Sequence, residues 1–375
     1  MHIEFLINRF KQNYKSEAII WNETSFSYGW ILDNFLILSE NETLKIINKG
    51  DVVAINADFS PKSIVVLLFL INKGCIIVPL TNTIKNKHEE FIKIASAEFF
   101  ISIDKSDKLE LEKISERKNN NNNFYITLRK KNKSGLVLFS SGSTGKSKAS
   151  VHDFSKILNK FLIERHSLRT ITFLLFDHIG GLNTLFYVLS NTGLIVALDK
   201  RDPDYVMMLI EKYQVELLPT TPTFLNLILI SEAYKRYDFS TLKTITYGTE
   251  PMPKATLSKI NSIFSNVKIL QTYGLSEVGI LRSKSENSNS LWVKIGGEDY
   301  QKKTSDILKI LDYFILVTHK VASDSTFTQQ NRTELQKIFG KHQKTVDAYK
   351  SPEDFVKGFP DIGLLVDLDT DERRL

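Results

Sequence analysis

Apolar residues recur along the chain in two alternating registers. Asp51–Ile55, Cys75–Leu80 and Glu98–Ile103 are short apolar runs of strand length. Between the first two, Ser60-Pro61 opens a longer apolar stretch. A proline near a helix start loses nothing, because that N–H would be unpaired anyway. Phe26–Ser39 and Glu42–Ile47 carry helical spacing. Further strands are predicted at Leu136–Phe139, Thr170–Leu175, Leu194–Ala197, Glu216–Pro219, Thr244–Tyr247 and Lys268–Gln271, with helices at Asp204–Tyr213 and Thr223–Glu232. Strand, helix, strand with short connections predicts an α/β fold built on parallel sheets. The polar run Asn119–Asn123 has nothing to bury and reads as a solvated loop.

Composition changes this picture little. The 375 residues are 42% hydrophobic and 25% charged, which fits an ordinary globular protein of two or three domains. The net charge of +6 comes without a basic face or reader motif, so no nucleic-acid partner is expected. The single cysteine, Cys75, excludes an internal disulfide and sits in an apolar setting. The start of the chain carries an early acid and does not read as a signal peptide. Ile64–Ile71 is too short to span a bilayer. A cytoplasmic protein without a membrane span is the expectation.

One segment carries chemistry. Leu136–Phe139 runs into Ser140-Ser141-Gly142-Ser143-Thr144-Gly145-Lys146-Ser147-Lys148. Glycines let a backbone approach a phosphate, hydroxyls add donors and lysines add charge. A helix is expected to follow, because Phe154, Ile157, Leu158 and Phe161 share one face. The segment could be a surface turn. It could be the P-loop of a nucleotide triphosphatase, but that motif needs a glycine where Ser140 stands. The third possibility is the signature of the adenylate-forming (AMP-binding) enzymes, which the segment resembles. The commonest family form has Pro at Ser147 and Gly at Ala149.

Two later segments resemble the same family, in the family's order. Thr246-Tyr247-Gly248-Thr249-Glu250-Pro251-Met252-Pro253 is similar to the loop that lies along the adenine. Gln271-Thr272-Tyr273-Gly274-Leu275-Ser276-Glu277 is similar to the family's Y-G-x-[ST]-E segment. Each follows a predicted strand, and open parallel sheets bind ligands at strand ends. Thr172–Leu182 resembles a third family segment, bordering the carboxylate pocket, with His178 near the reacting acyl group.

The resemblance implies the large N-terminal domain of an acyl-CoA synthetase-like enzyme, with parallel-sheet subdomains and a small β-subdomain. It implies ATP and Mg²⁺ as cofactors, a small-molecule carboxylate as substrate, and CoA or a carrier-protein thiol as possible acceptor. Ser276, Glu277 and His178 are the implied catalytic residues, with Glu277 on Mg²⁺. Ser140, Ser141, Gly142, Ser143, Thr144, Gly145, Lys146, Lys148, Gly248, Thr249, Glu250, Pro251, Thr272, Tyr273 and Gly274 are the implied nucleotide-binding residues.

The resemblance covers residues 1–312. Residues 313–375 read as an irregular appendage or truncated remnant of unknown function, with a strand at Tyr313–Thr318 and a helix at Asn331–Phe339. Asp361 is a candidate for the family's ribose-binding acid, and the lysine of the family's C-terminal domain is not found. Two functions therefore stand at this stage: ATP-dependent carboxylate activation, or a catalytically impaired relative that binds ATP, AMP or an acyl ligand without full turnover.

Overall fold

The computed structural model describes residues 2–115, 122–141, 147–276, 279–281, 283–285, 287–291 and 293–295. In chain order the main strands are β1 (Glu17–Trp21), β2 (Thr24–Ser27), β3 (Val52–Asn56), β4 (Ile76–Leu80), β5 (Phe99–Ile103), β6 (Leu109–Lys113) and β7 (Gly135–Ser141). They continue as β8 (Ser147–Asp153), β9 (Arg169–Ile171), β10 (Leu194–Val196), β11 (Leu217–Thr220), β12 (Thr244–Tyr247) and β13 (Lys268–Gln271).

These strands form two sheets. One has the order β6-β5-β3-β4-β7-β8, and the other β13-β12-β11-β9-β10-β1-β2. In the first, β5, β3, β4 and β7 run parallel and the two edge strands are antiparallel. In the second, only the edge strand β2 is antiparallel to its neighbour. A parallel strand covered on both faces should be apolar throughout rather than alternating. β4 is buried at all five positions and β3 at four.

The helix Pro61–Lys73 shows why the sequence folds this way locally. Ser60 and Ser63 form a reciprocal capping box at its start, and Pro61 occupies the first helical position. Gly74 ends it at φ 79°, where a side chain would be strained. Ile64–Ile71, the greasiest stretch of the sequence, is buried in the core and packs between sheet and helices. Among the described residues no helix is long and apolar enough to cross a membrane. Cys75 is buried, as its neighbours suggest.

Several expectations need correction. The helix predicted over Phe26–Ser39 is Tyr28–Glu40, preceded by β2 and capped by the Ser27 hydroxyl. The strand predicted over Thr170–Leu175 is the shorter β9. In the asparagine run, Asn122 caps the helix Asn123–Lys130 by accepting from the N–H groups of Phe124 and Tyr125. The polar run therefore supplies a helix start rather than only a loop. Tyr313–Thr318, Asn331–Phe339 and Asp361 lie outside the described residues.

The segment after the glycine-rich loop differs most. No helix follows directly. β8 returns antiparallel to β7, pairing Ser140 with Lys148 and Ser141 with Ser147. The helix Phe154–Leu158 comes only after that strand; of the four residues expected on one helix face, Phe154, Leu158 and Phe161 are buried and Ile157 is half-buried, with Phe161 in a separate turn. The strands flanking residues 142–146 thus pair antiparallel. A nucleotide-triphosphatase P-loop joins a strand directly to a helix, and that geometry is not present here.

Candidate active site

The carboxyl ends of β9, β11, β12 and β13 meet the start of the helix Ile179–Ser190. A pocket of ≈ 60 Å³ lies there. His178, Gly180, Asn183 and Thr184 form the helix side of its wall. Pro219, Thr246, Gly248, Thr249, Thr272 and Gly274 form the strand-end side. Leu174 and Ile280 complete it with apolar surface. Three segments singled out in the sequence, far apart along the chain, therefore converge on one cleft.

His178 caps the helix. Its Nδ1 accepts from the N–H of Gly180 at 3.0 Å. An accepting Nδ1 carries no proton, so the neutral ring holds its proton on Nε2. Burial pushes the imidazole below its ordinary value, which favours the same neutral form. The turn before it is tight: a Cβ on Gly181 would sit 1.9 Å from the carbonyl oxygen of Leu175. Only glycine lets the helix start this close to the end of the β9 connection. Beside it, the hydroxyl of Thr81, just past β4, donates to Asp177 at 2.9 Å. Burial raises the Asp177 carboxyl above the usual range.

The adenine-loop candidates sit against the Thr272 segment. Thr272 donates to the Tyr247 carbonyl through both its N–H (2.8 Å) and its hydroxyl (3.1 Å). A Cβ on Gly248 would meet the Thr272 hydroxyl at 2.7 Å, so the loop packs here only without a side chain. Thr249 adopts φ 70°. The Glu250 carboxylate accepts from both the N–H and hydroxyl of Thr223, at the positive end of the helix Pro222–Ser231. Its carboxylate serves the helix start. Pro251 is exposed.

Tyr273 is 37% exposed and lies between two residues of the cleft wall, Thr272 and Gly274. Tyr247 is buried in the core under β11–β13. Of the glycine-rich loop, Ser140 is half-buried at the end of β7 and Lys148 is exposed on β8. Ser141 ends β7. Gly142, Ser143, Thr144, Gly145 and Lys146 lie outside the described residues, as does Glu277. Ser276 is described, and its carbonyl accepts a hydrogen bond from His152 Nε2.

Among the described residues no three of His, Cys, Asp and Glu gather to hold a metal. Mg²⁺ bound through one carboxylate and phosphate oxygens needs no such cage. Asn183, Thr184, Ile280 and His152 belong to none of the sequence motifs. Asn183 and Thr184 lie one turn beyond Gly180, so helical periodicity could have placed them on its face. Nothing local marks His152 or Ile280.

The profile of the AMP-binding enzyme family matches residues 8–297. The chain is 33% identical over 103 residues to 4-coumarate-CoA ligase 1 of Narcissus pseudonarcissus, a match covering 27% of this chain and 19% of that protein. It is 32% identical over 151 residues to a probable CoA ligase of Humulus lupulus, covering 38% of this chain and 27% of that protein. The matches thus span less than a third of these relatives' own length. A luciferase-like enzyme from the mealworm Zophobas morio superposes with TM-score 0.61 at 20% identity, over 74% of this chain and 73% of that one. The N-terminal subdomain of NpsA from Klebsiella oxytoca, solved with 3-hydroxyanthranilyl-AMSN, gives 0.60 at 15% identity, over 79% and 76%. At these identities the solved structures establish the fold.

Proposed function

We propose a carboxylate-activating role for this chain, which belongs to the AMP-binding enzyme family. The observation that carries the proposal is the convergence of the His178, Gly248 and Thr272–Gly274 segments on one cleft at the carboxyl ends of parallel strands. In the reaction proposed, a carboxylate oxygen attacks the α-phosphorus of ATP. A new O–P bond forms, the α–β anhydride bond breaks, and pyrophosphate leaves with the bonding electrons. In a second step a thiol, CoA or one on a carrier protein, attacks the acyl carbonyl and expels AMP.

The residues fit an adenine nucleotide. Tyr273 is exposed, and its neighbour Thr272 packs against Gly248 and bonds to the Tyr247 carbonyl. Lys148 and Ser140 face each other across the mouth of the hairpin whose loop we assign to the phosphates. Mg²⁺ would neutralise phosphate charge, and Glu277 is the carboxylate we assign to it. His178, neutral and partly buried, would present its Nε2–H to the acyl side of the cleft. Catalysis of this kind is positional and electrostatic. We place the catalytic core in residues 1–312 and assign no role to 313–375.

Exchange of labelled pyrophosphate into ATP, measured with and without a panel of carboxylic acids, tests the reaction. Acid-dependent exchange is expected. Binding of Mg-ATP without exchange for any acid would instead support the impaired relative that holds nucleotide but does not turn over.

A further inference from the structure

We propose that Thr81 and Asp177 are positioning residues, whose hydrogen bond joins the two sheets and fixes the turn bearing His178 relative to the phosphate loop. This rests on the adenylation reading, in which the acyl group lies beside His178 and the phosphates at the glycine-rich segment. Those two sites belong to different sheets. His178 ends the connection that leaves β9 of the second sheet. The glycine-rich segment leaves β7 of the first, and β7 pairs with β4. A misplacement of about 1 Å between reacting groups can cost roughly a hundredfold in rate. Whatever registers the sheets at this end therefore sets turnover.

The connection Phe173–His178 is docked on the exits of β3 and β4. The Thr81 hydroxyl, just past β4, donates to Asp177 at 2.9 Å. Phe59, after β3, meets Phe176 edge to face with ring centroids 5.3 Å apart, and both rings are buried. Arg201, after β10, donates to the Phe173 carbonyl at 2.7 Å and lies 3.8 Å from Asp58 of the first sheet.

Among these contacts, the Thr81–Asp177 bond is the directional one beside His178. A hydrogen bond weakens steeply when it is misaligned, so it fixes a position where ring packing sets only proximity. Thr81 is itself held. It is 2% exposed, its carbonyl pairs with His88 Nε2 at 2.9 Å, and its hydroxyl lies 2.6 Å from that of Thr83. With the Thr81 proton committed to Asp177, Thr83 donates into Thr81. The relay ends one residue before His178, whose Nδ1 accepts from Gly180 and starts the helix.

Pyrophosphate exchange into ATP by the full-length chain tests this, with Mg-ATP affinity taken from calorimetry. The acids are acetate, octanoate, palmitate, benzoate, cinnamate, lactate and alanine, and the fastest is carried forward. Thr81→Val should lower the exchange kcat at least about tenfold and leave Mg-ATP affinity within about twofold. Thr81→Ser keeps the hydroxyl, and Asp177→Asn keeps an acceptor oxygen without the charge, so both should stay within about threefold of the wild type. The double variant Thr81→Val/Asp177→Leu separates positioning from stability. With both polar groups gone, neither is left unmatched, so its melting temperature should return towards that of the wild type while kcat stays low. Recovery of kcat together with stability would show a merely structural bond and overturn the inference, leaving adenylation standing. So would an unchanged kcat in Thr81→Val. A folded wild type that exchanges pyrophosphate with none of these acids would overturn the adenylation reading and this inference with it.

Discussion

His152 and Ser276 are 124 residues apart in the chain, yet the His152 imidazole donates Nε2–H to the Ser276 carbonyl over 2.5 Å. His152 is buried on β8, four residues after Lys148. Side chains alternate along a strand, so Lys148 and His152 lie on the same face, about 13 Å apart. The strand leaving the glycine-rich loop thus holds the turn that carries Ser276. His152→Leu removes the donor and leaves a carbonyl without this partner, a loss of about 1–3 kcal/mol. Deuterium uptake across residues 272–276 should rise in His152→Leu and weakly, if at all, in His152→Gln, whose amide can still donate. Equal uptake in the wild type and His152→Leu would show that the bond does not restrain the turn.

Gly248→Ala should weaken the site from the other side. Its Cβ would arrive 2.7 Å from the Thr272 hydroxyl and 2.8 Å from the Thr272 carbonyl oxygen. The two segments must separate, at a cost of about 1–3 kcal/mol of the kind seen on overpacking. A lower melting temperature together with weaker ATP binding is expected. Unchanged ATP affinity in a folded variant would separate the Gly248 loop from the nucleotide site.

Lys160 gives a pH signature. Burial, with a smaller contribution from Arg165, lowers its ammonium to about 8 from 10.5. Its Nζ donates to the carbonyl of Ile280, a residue of the pocket wall, at 3.4 Å. The folded chain releases this proton near pH 8, whereas the unfolded chain keeps it to about 10.5. Between these values the unfolded state binds more protons, so stability rises with pH. Below pH 8 the buried charge is a penalty of at most about 3 kcal/mol. Lys160→Met should therefore be more stable than the wild type at pH 7, with the difference closing towards pH 10.5. Urea unfolding at both pH values checks it, and a difference independent of pH would contradict it.

Among the strands legible in the sequence, β3 and β4 are apolar runs whose burial is complete or nearly so. β12 and β13 match their predicted bounds although each mixes buried positions with half-buried or exposed ones. β6 was not read, because Leu109–Lys113 alternates with charge at a sheet edge, where one row of residues faces water. The β1–β2 hairpin was missed because its turn residues, Asn22 and Glu23, take φ 47° and 65° without a glycine to announce them. β8 was missed for another reason. Ser147–Asp153 has little strand character of its own and becomes a strand by pairing with β7.

The site divides in the same way. Gly248, Thr272 and Gly274 were legible because a backbone that packs this closely restricts residue type, and such restrictions leave local motifs. Asn183 and Thr184 become pocket residues only when the helix after His178 packs against the strand ends. The His152–Ser276 bond likewise depends on where a turn lands relative to β8, a relationship no local pattern encodes.

We propose that an adenine nucleotide binds beside the Gly248 loop and the Thr272–Gly274 segment, with its phosphates held by the glycine-rich loop between β7 and β8. Titration calorimetry of the full chain with ATP and Mg²⁺ tests it most directly. We expect saturable, one-to-one binding that AMP competes away and that Gly248→Ala weakens. Absence of binding by both ATP and AMP to the folded wild-type chain would contradict the account.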